Sequence, residues 1–418
     1  MRWLLSFIYH YPLFMAFVWM LGSLIYVLRR RNKISTRLPV LVSTPSVSIL
    51  IPCHNEEKHI RETIEQMSKL NYPDYEIIAI NDGSTDNTQK ILEECTAIYP
   101  KLRIVTLKKN QGKATALKFG LLAAKSEFLV CIDADAFLDR DALYYLMWHF
   151  INFPRVGAVT GNPRIRNRTT LLGKIQVGEY STIIGMIKRT QRIIGKIFTV
   201  SGVAAAFRKS ALFDVGLWDD DMVTEDIDIS WKLQTNFWDV RFEERALCWI
   251  LTPETLKGLW KQRLRWAQGG AEVILKYGRA LFDFRQRRIW PVYLEYGVSV
   301  FWSYALYFSV IIALINSMGI IGLLPPLPDP WSFAVFIPPE WAGTMLATVC
   351  MLQAMVALAF ESKFEKGIFR YIFWFIWYPI IYWLLSATAT VAGLPLAIFK
   401  RKGTKAIWES PDRGLHTL

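Results

Sequence analysis

The sequence is poor in the residues and motifs that mark several common chemistries. Its 5 cysteines, at positions 53, 95, 131, 248 and 350, are an odd number without metal-type spacing. That argues against a disulfide framework or a metal cluster and for reduced thiols in a cytosolic domain. The 5 histidines include His54 and His59, which are close but lack a recognisable ligand spacing. There is no GxxxxGK[ST] loop, and no GxGxxG follows the first strand-like run, so ATPase and dinucleotide-enzyme readings lose their main support. No Ser-His or Cys-His pair offers a covalent nucleophile. Acidic residues are outnumbered 36 to 49 by Lys and Arg, yet no nucleic-acid-binding motif accompanies the net charge of +13, so no nucleic-acid partner is expected.

What is abundant is apolar length, and it lies at the two ends. Residues 4–28 carry no acidic or basic side chain except His10 and are long enough to span a bilayer. Arg29, Arg30, Arg31, Lys33 and Arg37 follow, the reverse of a cleavable signal peptide, whose charges come first and whose cleavage site comes after. Further apolar stretches cover 297–323, 341–360 and 368–399. Residues 1–33 are therefore expected to form an anchor, 40–290 a globular domain, 291–400 a membrane bundle and 401–418 a tail. Basic clusters beside the apolar segments place the globular domain in the cytoplasm of a multi-pass inner-membrane protein, in contact with anionic lipid.

Within 46–132, β-branched runs alternate with helical patterns. SVSILIPC (46–53), Tyr75–Ile80, Leu102–Leu107 and Glu127–Ile132 read as strands. Ile60, Ile64 and Met67 share one helical face, and Ile91, Leu92 and Cys95 another. The fold class is thus α/β, an open, mostly parallel sheet with helices on both faces and flanking transmembrane helices. In such sheets ligands bind beyond the carboxyl ends of the strands. Asp82 falls just past the second strand, and Asp133 and Asp135 just past the fourth. Buried carboxylates are costly unless paired or metal-bound. Mg²⁺ or Mn²⁺ shared with a diphosphate would neutralise them; the alternative is that they cap the next helix. Lys113, after Gly112, either supplies a cation to a diphosphate or starts a helix in solvent. In VTEDIDISWKL (223–233), Asp226 is a catalytic base or an acid favoured by the helix dipole. In KQRLRWAQGG (261–270), Gln262 and Trp266 share a helix face with Arg265 beside them, as a ligand-facing group or part of a basic membrane-surface helix.

Taken in order, IPCHNEE (51–57), NDGS with Asp82, DAD (133–135), TED (224–226) and QRLRW (262–266) resemble a processive, membrane-integrated family 2 glycosyltransferase, over roughly 46–290. NQGKATAL (110–117), TVSGVAAAFRKSAL (199–212), VTEDIDISWKLQ (223–234) and WESPDRG (408–414) are most similar to its branch forming poly-β-1,6-N-acetylglucosamine for biofilms. No cyclic-dinucleotide-binding domain follows the core, which argues against the bacterial cellulose type.

The resemblance implies a family A-type nucleotide-sugar domain and inverting transfer from UDP-N-acetylglucosamine to a growing polysaccharide, coupled to export. It implies donor contacts at Pro52, Asn55, Glu56, Asp82, Lys113, Asp133, Asp135 and Arg265, with Asp133 and Asp135 as Mg²⁺ or Mn²⁺ ligands. It implies Asp226 as general base, and Ser201, Gly202, Gln262 and Trp266 on the acceptor side. A small membrane partner subunit is implied as well. Residues 174–197 and 271–284 resemble interfacial helices. Other processive β-glycan synthases (chito-oligosaccharide, hyaluronan or cellulose type), a single-addition lipid-acceptor transferase and a non-enzymatic nucleotide-sugar sensor are the alternatives. One conflict remains: three full C-terminal crossings would put Lys400, Arg401, Lys402 and Lys405 outside, against the positive-inside rule, unless 368–399 bends or re-enters.

Overall fold

The computed structural model describes residues 2–30, 38–325, 327–328, 340–377, 383–401 and 403–405. A long helix α1 (Arg2–Arg30) precedes β1 (Val47–Cys53), α2 (Ile60–Ser68), β2 (Tyr75–Asp82), α3 (Thr88–Ile98), β3 (Leu102–Leu107), α4 (Lys113–Ala123) and β4 (Phe128–Ile132). Then come β5 (Phe137–Leu138), α5 (Ala142–Asn152), β6 (Val156–Ile165), α6 (Leu171–Glu179), a π-helical stretch (Tyr180–Ile187), α7 (Lys188–Ile194), β7 (Ala204–Arg208), α8 (Lys209–Asp214), α9 (Glu225–Thr235) and β8 (Asp239–Ile250). The chain closes with α10 (Leu256–Lys276), α11 (Trp290–Ile320), α12 (Glu340–Glu361) and α13 (Leu384–Ile398).

The sheet runs β3-β2-β1-β4-β7-β6-β8-β5. Its first half is parallel, as the βαβ alternation dictates; β7 then enters antiparallel to both β4 and β6, and β8 pairs parallel with β6. Side chains alternate between two cores, as the period of a strand requires when both faces are covered. Ile49, Ile51, Ile77, Ala79, Val130 and Ile132 point to one. Leu50, Ile78, Ile80, Leu129 and Cys131 point to the other. The helical faces anticipated for α2 and α3 are the buried ones, with Ile60, Ile64 and Met67 on α2 and Leu92 and Cys95 on α3.

Among the described residues three helices are long and apolar enough to cross a membrane: Trp3–Arg29, Trp290–Ile320 and Ala342–Glu361. The last apolar stretch, 368–399, is not one span. It divides into a 3-10 helix (Ile368–Trp377) and the 15-residue α13. The 3-10 helix lies on α6, with Phe375 against Gly178 and Lys174 Nζ 4.7 Å from the Trp374 ring. At about 1.5 Å per residue, α13 is roughly 22 Å long, short of the ~30 Å hydrocarbon core. Its end returns to the sheet domain, where Lys400 Nζ meets Glu272 Oε2 at 3.0 Å and Lys405 meets Asp220 at 3.3 Å. Lys400 and Lys405 therefore lie against the sheet domain, the arrangement expected if 368–399 bends back.

The segment 171–194 is not an exposed interfacial helix. Most of it is buried between the sheet and the membrane helices, including Lys188, Arg189, Thr190 and Gln191 on α7. By contrast Leu275, Phe282 and Phe284 in 271–284 are exposed, as a membrane-seating surface would be.

A buried charge network joins α12 to the sheet. Glu361 pairs with Arg164 of β6 and with Arg189 Nη1 at 2.5 Å, and Arg189 Nε reaches Glu244 of β8 at 2.7 Å. Removing one member of a buried network leaves an uncompensated charge. Glu361→Gln should cost about 3–5 kcal/mol, read as a markedly lower thermal unfolding midpoint in detergent. Glu65→Gln, which breaks only the exposed pair with Lys69, should change it by about 0–1 kcal/mol. Equal midpoints for the two variants would show that the network does not secure α12 to the sheet.

Candidate active site

The carboxyl ends of β1, β2 and β3 bring the first group of residues together. Both oxygens of Asp82 accept backbone hydrogen bonds from the loop after β3, Gln111 N at 2.9 Å and Gly112 N at 2.8 Å. Burial pushes its carboxyl above the ordinary range, against those two donors. Pro52 is buried at the end of β1 beside Ile80 in register. Asn55 adopts a left-handed backbone (φ 56°), and its Oδ1 accepts from Thr85 N at 2.8 Å. Glu56 is buried, and its N–H donates to Thr88 Oγ1 at 2.8 Å. These residues thus tie three strand-end loops into one rim.

The second group is the charged centre. Lys113 opens α4 and places Nζ 2.6 Å from Asp133 Oδ1 and 3.1 Å from Glu225 Oε1. Burial works against its charge, but Asp133 and Glu225 outweigh it and hold the ammonium well above the usual lysine range. Lys113 is therefore no solvent lysine, and Asp133 does not cap the next helix, whose N-cap position is Asp141. Asp135 is buried one turn away, and Tyr180 of the π-helical stretch lies within the fields of both aspartates.

Asp226 stands in the first turn of α9. Its Oδ2 accepts from Gly202 N at 3.0 Å and its Oδ1 from Ile227 N at 2.9 Å. Burial pushes its carboxyl up to about 6, Glu225 adds to the rise, and Lys113, Arg265 and the Gly202 bond oppose it. At neutral pH it is a carboxylate with a real affinity for a proton, which suits general-base work. The loop beneath it is stitched to one face of α9. Val200 N donates to Ser230 Oγ at 2.8 Å, and Gln234 brackets Ile197 with bonds of 3.1 and 2.7 Å. Asp226, Ser230 and Gln234 are four residues apart, so one helical stripe holds the whole loop. Two glycines permit the approach: a Cβ at Gly202 would sit 3.0 Å from Asp226 Oδ2, and one at Gly269 of α10 would collide with Thr224.

The QRLRW helix divides its residues. Arg265 is exposed and acts on Asp226 through its charge. Gln262 accepts from Arg263 Nη1 at 2.8 Å, and the Arg263 guanidinium lies 4.3 Å from the Trp266 ring centroid. Gln262 and Trp266 thus meet through Arg263, which is itself buried in an ion pair with Glu179 at 2.5 Å.

Asp133 and Asp135 present hard oxygen donors of the kind Mg²⁺ or Mn²⁺ takes. Among the described residues no group of three or more His, Cys, Asp or Glu could hold a metal by itself. The set fits a cation completed by diphosphate oxygens and water, with Lys113 already placing positive charge at Asp133.

Residues 48–216 match the family described as Glycosyl transferase family 2. The chain is 40% identical over 414 residues to a poly-beta-1,6-N-acetyl-D-glucosamine synthase of Staphylococcus epidermidis, covering 98% of both chains. It is 39% identical over 419 residues to the synthase of the same name from Staphylococcus aureus strain COL, again covering 98% of each. The chain belongs to the poly-β-1,6-N-acetyl-D-glucosamine synthase family. In three dimensions it resembles a mannosyltransferase from Pyrobaculum calidifontis, solved with GDP-Man and Mn²⁺, with a TM-score of 0.58 and 21% identity over 90% of this chain and 95% of that one. That likeness shows the shared glycosyltransferase fold.

In this family member, sequence reasoning passed over Glu179, Tyr180, Arg263, Thr160 and Lys188, all close to the charged centre. No local pattern marks these five. Arg263 sits inside the very motif that named its neighbours, and only its burial sets it apart.

Proposed function

We propose that the chain polymerises N-acetylglucosamine from UDP-N-acetylglucosamine into a β-1,6-linked polysaccharide at the cytoplasmic face of the cell's inner membrane. The observation that carries the reaction type is the convergence of Lys113, Asp133, Glu225, Asp226 and Gly202 at the carboxyl ends of the strands. The names of the relatives carry the sugar and linkage. The domain of residues 40–290 performs the chemistry, and the apolar helices before and after it hold it at the bilayer.

The donor lies along the rim of Pro52, Asn55, Glu56 and Asp82, with its diphosphate toward Lys113, Asp133, Asp135 and Arg265. Asp133 and Asp135 would hold Mg²⁺ or Mn²⁺, which supplies Lewis-acid neutralisation of the departing diphosphate. Arg265 offers the diphosphate a planar donor fork. Trp266, Gln262, Ser201 and Gly202 border the acceptor. The acceptor O6 attacks C1 from the face opposite the diphosphate. The C1–O6 bond forms as the C1–O–phosphate bond breaks, and the O6 proton passes to Asp226. The anomeric centre inverts from α to β without a covalent enzyme intermediate.

Export of the polymer has a candidate path in a cavity of about 200 Å³ inside the membrane bundle, lined in part by Thr182, Ser299, Ser303, Gln353 and Thr390. A second reading, single transfer to a lipid acceptor, draws on an apolar cavity of about 570 Å³ bounded by Phe7, Phe14, Val18, Ile194 and Leu294. The size of the product from purified protein and labelled UDP-sugars separates the two. We expect a polymer from UDP-N-acetylglucosamine that a β-1,6-specific hexosaminidase degrades. A single adduct would favour the lipid acceptor, and a β-1,4 polymer would overturn the linkage.

A further inference from the structure

Lys188 is a buried lysine whose two hydrogen-bond partners are neutral hydroxyls. Its Nζ lies 2.7 Å from Ser201 Oγ and 3.2 Å from Thr160 Oγ1, and its side chain is within 6.0 Å of the Phe242 ring. Thr160 Oγ1 also accepts from Ser201 N at 2.8 Å, and the next residue, Gly202, donates to Asp226. Burying an ammonium is expensive, and an apolar side chain would pack there at lower cost.

Two irregularities of the backbone deliver this cation. The π-helical stretch Tyr180–Ile187 ends immediately before it, and such stretches shift helical register and cluster at functional sites. After it, the adjacent residues Lys188 and Arg189 are both buried with different partners, Lys188 facing Ser201 and Arg189 facing Glu361 and Glu244. A register irregularity in β6 falls between Thr160 and Asn162, where a bulge re-aims side chains.

We propose that Lys188 is a positioning residue for the Asp226 carboxylate, holding the Ser201–Gly202 turn that clamps Asp226 and setting a positive charge near it. The inference rests on the reading of Asp226 as the base. Burial lowers the Lys188 ammonium to about 7, and Asp226 is the charge that opposes that fall. The other charged groups around this pair are Glu225 on α9, Lys113 on α4 and Arg265 on α10, which act on Asp226, and Glu244 on β8, which is held by Arg189. An additional cation favours the ionised carboxylate, so loss of Lys188 raises the pH at which Asp226 becomes a competent base.

The test is a pH–rate profile of polymer synthesis by the full chain, with UDP binding measured by calorimetry. Lys188→Met should leave UDP affinity near the parent value and lower kcat at neutral pH by about tenfold or more. It should also move the acid limb of kcat to higher pH by roughly half a unit or more. Thr160→Val removes the shared hydroxyl but keeps the charge, so it should lower kcat without that displacement. If Lys188→Met is not recovered folded, Lys188→Gln, which keeps a donor for Ser201 and loses the charge, is judged on the same limb. An unmoved limb in the folded Lys188 variant overturns the inference whatever its rate, while Asp226 keeps its role if Asp226→Asn is inactive. Synthesis retained by Asp226→Asn removes the base assignment and the Lys188 inference with it.

Discussion

Asp226→Asn should lower turnover by about 10²–10⁴-fold, the usual worth of general-base catalysis, with UDP affinity little changed. The amide keeps the size of the carboxylate and can still accept from Gly202 N, so the loop stays in place while the proton acceptor is lost. The structure sharpens the alternative, since Asp226 is also one of the three residues stitching the 197–202 loop to α9. A purely structural Asp226 would tolerate the amide and keep synthesis, and Glu225, 3.1 Å from Lys113, would become the next candidate base. Loss of UDP binding would instead assign Asp226 to the donor site. In the parent enzyme the raised carboxyl fixes the sign of the pH dependence. A general base at Asp226 must be the carboxylate, so on the proposed reading kcat should be full above its value of about 6 and fall toward tenfold per unit below it.

Chelation should abolish synthesis, and Mg²⁺ or Mn²⁺ should restore it. Asp133 and Asp135 add negative charge beside that of a diphosphate, and Lys113 alone is a single positive charge already shared between Asp133 and Glu225. Asp135→Ala should reproduce the chelated state, with a loss that added metal does not recover. Glu93→Ala, at an exposed position on α3 where the carboxylate accepts from Gln89 of the same helix, should synthesise normally. Full synthesis in excess chelator would end the metal assignment and leave Lys113 and Arg265 as the counter-charges of the diphosphate.

Much of the catalytic half is written locally. Runs such as SVSILIPC read as strands buried on both faces, and the pairing of β1 with β2 and β4 places Asp82 and Asp133 at the ends of the two strands that flank β1. The spacing of Asp226, Ser230 and Gln234 is likewise a local helical fact, although what the stripe holds is not. The antiparallel entry of β7 was not legible, because pairing direction depends on the path of the 171–203 segment across the domain. Residues 174–197 misled for a related reason. Mixed Ile, Lys and Arg look the same on a bilayer surface as in a buried charge network, and Arg189 chooses the second because Glu244 and Glu361, 55 and 172 residues away, meet it there.

The sequence by itself determined the first four strands with the helices between them, the apolar stretches at both ends, and the acidic residues at the strand ends, since each depends on periodicity or composition within a few turns of chain. Only the tertiary structure decided that Lys113 is an interior cation between Asp133 and Glu225, that Gln262 and Trp266 meet through Arg263, that Lys188 lies under the Asp226 loop, and that α13 returns its basic end to the sheet domain. Each turns on a charged side chain with a partner that lies elsewhere in the sequence, as Glu179 does for Arg263 and Thr160 for Lys188. The cost of burying a charge is paid or not according to partners that local sequence does not name.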